Sequence, residues 1–420
     1  MRDLTIGSYR KFWSQLAIAM MSLYLLTDML SGFSIIYLGM DIKASLIYKV
    51  PLLILILGLI AQENTLKFNT LLLLIILVFI GPLYQFYEHA RLDFFIADFS
   101  SAIKVLTPVC IFFLYREWYK SDPEFALAST HRILKYGFII LSANFIIGAM
   151  GFGKSTYDFG KGETAGSTGL IMAGNELGGA FLVVFTYMLH MCWNNKSKKW
   201  YLLLSMFTVF CGVSVSTKTT ILASLLIVFF VPIVNERRKL YSITRLKINI
   251  FVPIIVLIVI AVILVVEALQ SLGLYDRMIF LYKKAGIFGV ILSGRDVMAA
   301  DSFNAVVHHS SLFEQLFGQG EALSLKRPDG SATSEIDGVD IFNFYGIFTF
   351  LAVFSFYIYT LAKAHNQTIK NMNFLSPFIF LAGFTLFILS QLSGHIWGSG
   401  TAGILIGVML GSLNAKDQSY

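Results

Sequence analysis

Charge is what this chain has least of. Only 14% of its 420 residues are Asp, Glu, Lys or Arg, against 56% hydrophobic. Soluble domains carry nearer a quarter charged residues, so an ordinary soluble enzyme or binding module is excluded and the bilayer becomes the solvent. Cysteine is almost as scarce. Cys110, Cys192 and Cys211 sit in or beside apolar runs, and their spacing fits neither a disulfide framework nor a metal site. No metal and no cofactor is expected. The net charge of +7 does not point to nucleic acid, because the basic residues occupy short loops between apolar runs, where membrane topology accounts for them. The opening "MRDLTIGSYRKFWSQL" lacks a short apolar core followed by a small-residue cleavage site, so the first apolar run is read as a retained span. Neither a solenoid-like repeat nor an inverted repeat of the transporter kind is visible.

What is present is a series of about twelve apolar runs, near 13–38, 45–61, 68–87, 97–115, 132–151, 169–192, 200–216, 219–235, 248–269, 338–362, 374–391 and 396–413. A span needs roughly 20 apolar residues to cross a hydrocarbon core about 30 Å thick. The expectation is an all-α polytopic membrane protein with three parts: a bundle of about nine spans over 1–269, a large outer segment over 270–337, and about three more spans over 338–420. Lys and Arg gather in alternate loops, among them Arg116, Lys120, Arg132, Lys135, Lys198, Lys199, Arg237 and Arg238. That bias places both termini in the cytoplasm and the 270–337 segment on the opposite side. A connection this long between spans is often functional.

The outer segment has its own pattern. "SLGLYDRMIFLYKKAG", which carries Arg277, reads as a helix lying at the interface. "GRDVMAADSFNAVVHHSSLFEQLFGQG" reads as a helix opening near Ser293 and running to about Phe317. Arg295 and Asp296 then lie in its first turn, where free backbone N–H groups favour anions. Asp296 either orients Arg295 or caps the helix. His308 and His309 lack a partner at metal spacing and read as exposed helix residues.

Charge at bilayer depth is costly and marks candidate functional residues. Lys218, in "VSVSTKTTILAS", sits between two apolar runs with almost no loop to spare; the structural alternative is snorkelling to headgroups. Asn175 and Glu176 open a span after the Gly-rich "GFGKSTYDFGKGETAGSTG", which lacks phosphate-loop spacing and reads as a flexible loop. An interhelical hydrogen bond serves equally well for them. Glu335, Asp337 and Asp340 stand where the outer segment meets the next span. They either cap that helix or supply a carboxylate that takes a proton from a hydroxyl. Lys104, inside an apolar run, requires a carboxylate or a water-filled pocket, and His395 falls in a short outer turn. Outer cations beside acids suit a lipid diphosphate and a hydroxyl acceptor, with Arg as a fork and Lys as a point charge.

At "GNELGGA", "SVSTK", "SGRD", "LFGQG" and "SEIDGVDIFNFYG", taken in order, the chain resembles the bacterial O-antigen polymerase and O-antigen ligase superfamily. The resemblance implies an inner-membrane protein with about a dozen spans and one large periplasmic loop. It implies inverting, metal-independent glycosyl transfer at the periplasmic face from an undecaprenyl-diphosphate-linked glycan. The acceptor is a second lipid-linked repeat in polymerases and lipid A-core in ligases. A chain-length regulator is an expected partner. Carried over, Arg295 matches the arginine of the "GR" motif and would hold the diphosphate, with Lys218 beside it; Arg277 and Asn175, by their outer placement, are further candidate substrate contacts. Lys218 stands where arginine is usual, keeping the charge and losing the fork. Ligases place a histidine near the end of the large loop. None occurs here between His309 and His365, and Glu335, Asp337 and Asp340 occupy that region instead, which favours a polymerase. A flippase is the competing reading from another class, with Lys104 and Glu176 as its support.

Overall fold

The computed structural model describes residues 2–158, 164–172, 174–250, 282–283, 286, 294–324 and 334–415, and for residues 2–9, 158, 164, 175 and 218 the backbone alone. The first half runs α1 (Arg2–Leu38), α2 (Ala44–Glu63), α3 (Thr65–His89), α4 (Leu92–Ser121), α5 (Pro123–Ala149), strands β1 (Lys154–Asp158) and β2 (Thr164–Gly169), then α6 (Gly174–Asn195), α7 (Lys198–Val215) and α8 (Lys218–Val234). The second half holds α9 (Arg295–His309), α10 (Leu312–Phe317), α11 (Glu321–Ser324), α12 (Asp337–Lys370), α13 (Ser376–Leu392) and α14 (Gly403–Gly411). Seven of the described helices are long and apolar enough to cross a membrane, and α8, α13 and the Gly403–Asn414 run are shorter apolar helices. This is the build of a helical membrane protein. The expected run at 248–269 beyond residue 250, and the interfacial helix with Arg277 apart from residues 282, 283 and 286, lie outside the described residues.

Single residues reverse the chain. Asn64 ends α2 and accepts a hydrogen bond from Lys67 N (3.1 Å) at the start of α3. Asp122 does the same for Phe125 N (3.0 Å), with Pro123 in the first turn of α5. Connections this short make neighbouring helices antiparallel. One end of the bundle therefore gathers the finishes of α1, α3, α5, α7 and α13 and the starts of α4, α6, α8 and α12. It is called the hairpin end here. The opposite, basic end carries Arg10 paired with Glu63 and Arg237 bonded to Asn371.

The Gly-rich stretch expected as a flexible loop is an antiparallel β-hairpin, with Ser155 opposite Ser167 and a bulge at Lys154/Ser155. It is held from below. The Asn144 amide of α5 donates to Thr168 O and its carbonyl accepts from Leu170 N, both at 2.9 Å. Gly169 (φ +66°) comes so close to Asn144 that a Cβ would lie 2.5 Å from its carbonyl oxygen. An all-α fold therefore holds with this one small exception among the described residues.

The helix expected to run from Ser293 to Phe317 is two helices. α9 stops at His309, and a capping box restarts the chain: Ser311 Oγ accepts from Glu314 N (3.3 Å) while the Glu314 carboxylate accepts from Ser311 N (2.8 Å). The following residues enter the bundle between α3, α4 and α12. Gln85 donates to Glu314 (2.9 Å), Ala322 N donates to Asp98 (2.8 Å), and Gly320 N donates to Phe344 O (2.9 Å). α12 is broken at Gly346 (φ +76°, ψ 175°), and the break is filled by Leu316 and Phe317. Irregular backbone at this depth is tolerated because protein surrounds it.

α14 lies along the lower half of α4. Its glycines recur every fourth residue, and a Cβ at Gly407 would sit 2.7 Å from Ile111 Cβ, one at Gly411 2.4 Å from Tyr115 Cβ. Small residues at this spacing let two membrane helices approach closely.

Candidate functional site

The hairpin end holds a polar constellation where α9, α12 and the turn between α13 and α14 meet. Arg295 is the first residue of α9, after Gly294 (φ +89°) at the cap. Its Nε donates to Glu335 Oε2 (2.8 Å), and Nη2 approaches the same oxygen at 2.6 Å. Both contacts use one carboxylate oxygen, and the side chains are 20% and 36% exposed. The pair is therefore open to exchange, since an incoming phosphate offers Arg295 two oxygens where Glu335 now offers one.

Glu335 sits at positive φ (+52°) because the backbone must turn sharply into α12. Gly394 fits against that turn: a Cβ there would lie 2.3 Å from Glu335 O. Asp337 and Asp340 are buried in the first turn of α12. Asp337 Oδ2 accepts from Ile396 N (2.8 Å) and Trp397 N (2.7 Å). Asp340 Oδ1 accepts from Ser334 N and Ser334 Oγ, both at 2.8 Å. The two acids sit on one helical face, yet each is committed to a different backbone segment. Glu335 is the accessible carboxylate of the three.

Asp296 is the second residue of α9. One of its carboxylate oxygens is buried with no hydrogen-bond partner among the described residues, so capping is not what that oxygen does. His308 and His309 are exposed. No group of His, Cys, Asp and Glu among the described residues is arranged to hold a metal ion.

An apolar groove of about 220 Å³ runs beside this constellation, lined by Phe303 of α9, Gly338, Val339, Phe342 and Phe350 of α12, and Gln391 of α13. Phe303 and Phe342 meet ring to ring at 5.7 Å.

Asn175 and Lys218 begin α6 and α8 at the same end of the bundle, and the two helix starts touch: a Cβ at Gly178 would lie 3.1 Å from Thr220 Cγ2. Their side chains lie outside the described residues, as does all of Arg277. α6 also abuts the α13–α14 turn, where a Cβ at Gly179 would lie 3.2 Å from Ile396 Cδ1.

Two features were not assembled from sequence. His395, at positive φ (+59°) in the α13–α14 turn, lies within electrostatic range of Asp337 and Asp340, although more than fifty residues separate them along the chain. Lys104, expected to need a carboxylate or a water-filled pocket, faces the Glu176 carboxylate at 3.7 Å. Each residue stands out alone; the pairings arise only in the packed bundle.

No protein family, no curated protein and no solved structure matches this chain.

Proposed function

We propose that the protein is a surface-polysaccharide polymerase of the O-antigen type. It joins undecaprenyl-diphosphate-linked repeat units at the periplasmic face of the bacterial inner membrane. The reading takes the chain as about twelve spans with both termini cytoplasmic, which puts the basic end inside and the hairpin end outside. The observation that carries it is the Arg295–Glu335 pair, a partly exposed, exchangeable cation beside an apolar groove at the outer end. A cation near an apolar groove suits a lipid phosphate.

On this reading, the donor diphosphate takes Arg295 away from Glu335. The acceptor hydroxyl oxygen forms a bond to the anomeric carbon from the face opposite the diphosphate. The bond from that carbon to the diphosphate oxygen breaks, and the diphosphate leaves with the electron pair. Arg295 stabilises that developing charge. Glu335, released from Arg295, receives the hydroxyl proton. Asp337 and Asp340 hold the start of α12 and its partner turn in place. A chain-length regulator would act as a separate partner.

The test is a surface-glycan gel of a deletion strain complemented with wild type or Arg295→Ala. A ladder with wild type and a single-repeat band with the variant is the expected result. Bare core in the deletion strain would favour ligase or flippase, and a ladder without the protein would end the proposal. The flippase reading draws on the ion pairs inside the bundle, Lys104 with Glu176 and Lys49 with Asp28. It requires that repeat units fail to reach the outer leaflet when the protein is missing.

A further inference from the structure

At the hairpin end, α6 and α14 both begin below the ends of α1 and α4. Glu176 lies in the first turn of α6, and Ser399 and Thr401 come just before α14. These residues meet α4 at Lys104, twelve residues past Leu92, a helical distance of about 18 Å. They meet α1 at Tyr24, whose hydroxyl donates to Thr401 O. Tyr24 is fourteen residues short of the end of α1 at Leu38, or about 21 Å. So α1 and α4 rise well above the level at which α6 and α14 start. They leave a recess whose floor is the 399–401 turn with the start of α6.

Four charged side chains gather at its lower end, below Leu170 and Met172, which lie against α1 at Gly32. Glu176 Oε2 is fixed by Thr401 N and Ser399 Oγ, both at 3.1 Å. Its other oxygen faces Lys104 Nζ at 3.7 Å, and the Lys104 side chain is 39% exposed despite its depth. On the facing wall Lys49 Nζ bonds Asp28 at 2.7 Å, and Lys49 lies within Coulombic range of Glu176. The second Asp28 oxygen is buried with no partner among the described residues.

Two carboxylates and two ammonium groups cancel. An anion would meet as much repulsion as attraction, and a lipid tail would leave all four unsatisfied. A pair serving only to join helices would be closed, and Lys104 is open. The ligand that suits is neutral and offers hydroxyl donors and acceptors together. We propose that this recess is a saccharide-binding subsite, with Lys104 and Glu176 on its floor. That the saccharide belongs to a lipid-linked repeat unit rests on the polymerase reading; that the recess takes saccharide does not.

The test uses the full-length protein in native membranes, with the partly exposed native thiol removed as Cys192→Ala. The reporter is Gly400→Cys, whose Cβ would sit 3.5 Å from Lys104 Cε and 3.6 Å from Glu176 Oε2, in ordinary contact with both. A water-soluble methanethiosulfonate is the probe. Labelling is compared in membranes from a strain that makes repeat units and from one blocked at the first sugar transfer. The expected result is fast labelling in the blocked strain, slowed about tenfold where repeat units exceed their Kd by that factor. Gly398→Cys, in the same turn and with nothing within 4 Å of its Cβ, is the second reporter in case the first fails to accumulate. No labelling at either position overturns the recess. Equal labelling in both membranes overturns the saccharide and leaves a water path. A wild-type ladder is scored in the repeat-making strain. A ladder with equal labelling sinks the subsite alone, whereas protection without a ladder sinks the polymerase reading and keeps the subsite.

Discussion

Asp337, at the start of α12, holds Trp397 of the α13–α14 turn by its backbone. One carboxylate oxygen accepts from Trp397 N at 2.7 Å and from Ile396 N at 2.8 Å. The turn between α13 and α14 is thereby fixed to the start of α12. Glu176 fixes the other end of the same turn through Thr401 N and Ser399 Oγ. A ten-residue connection between two apolar helices is thus pinned by two acids from two other helices.

Removing the first pin leaves two buried N–H groups without an acceptor, at about 1–3 kcal/mol each. Asp337→Ala is expected to lower the melting temperature of the purified protein substantially. Asp337→Asn keeps an acceptor oxygen and is expected to lose less. Equal melting for all three proteins, with activity gone, would mean that Asp337 acts on substrate instead.

Arg295→Ala is expected to abolish chain extension, and Arg295→Lys to retain a shortened ladder, because a point charge replaces a fork. Glu335→Gln tests the partner. If Glu335 receives the proton, extension slows by about 10²- to 10⁴-fold. If it only restrains Arg295, Glu335→Gln extends chains at the wild-type rate. Rates are read from purified protein and lipid-linked repeats.

Gly407→Leu is expected to separate α14 from α4, because even a Cβ would lie 2.9 Å from Pro108 O. Overpacking of this kind costs about 1–3 kcal/mol or more. Fluorescence-detected gel filtration after heating measures it. Gly383→Leu serves as the control, since a Cβ there meets nothing nearer than 3.9 Å.

The Lys49–Asp28 pair is buried, with side-chain exposures of 12% and 6%. Deleting one member strands the other charge, at about 3–5 kcal/mol. Asp28→Asn and Lys49→Met are each expected to destabilise strongly, and the double variant to melt closer to wild type. Additive losses in the double variant would show that the two charges do not depend on one another.

The apolar runs were legible because hydropathy alone marks a membrane helix, and the starts of α9 and α12 were legible from their glycine and acidic signals. Lys49 lies inside the apolar run at 45–61, and its partner Asp28 comes from another helix, so the pair has no local signature. The break after His309 was hidden because Ser310 and Ser311 are ordinary helix-surface residues until a capping box is counted. The hairpin at Lys154–Gly169 was hidden because glycine marks a loop and a tight strand pair alike. His395 beside Asp337, and Glu176 beside Lys104, are products of helix packing, which no local pattern records.

The segment seated at the Gly346 break has a consequence for how the protein is made. Asp98 on α4 finds its backbone partner, Ala322, 224 residues later in the chain. Gly81 on α3 meets Phe317 and Gly318 at a similar remove. The early helices therefore leave the ribosome with an acid and a shallow notch unmatched, and stay so while α5 to α8 are inserted. Only when 312–324 has been translated and α12 follows can the notch close. Biogenesis of this bundle ends with a piece that must be threaded back into helices laid down first, so a ribosome that stops before residue 346 leaves behind a membrane domain with an open side.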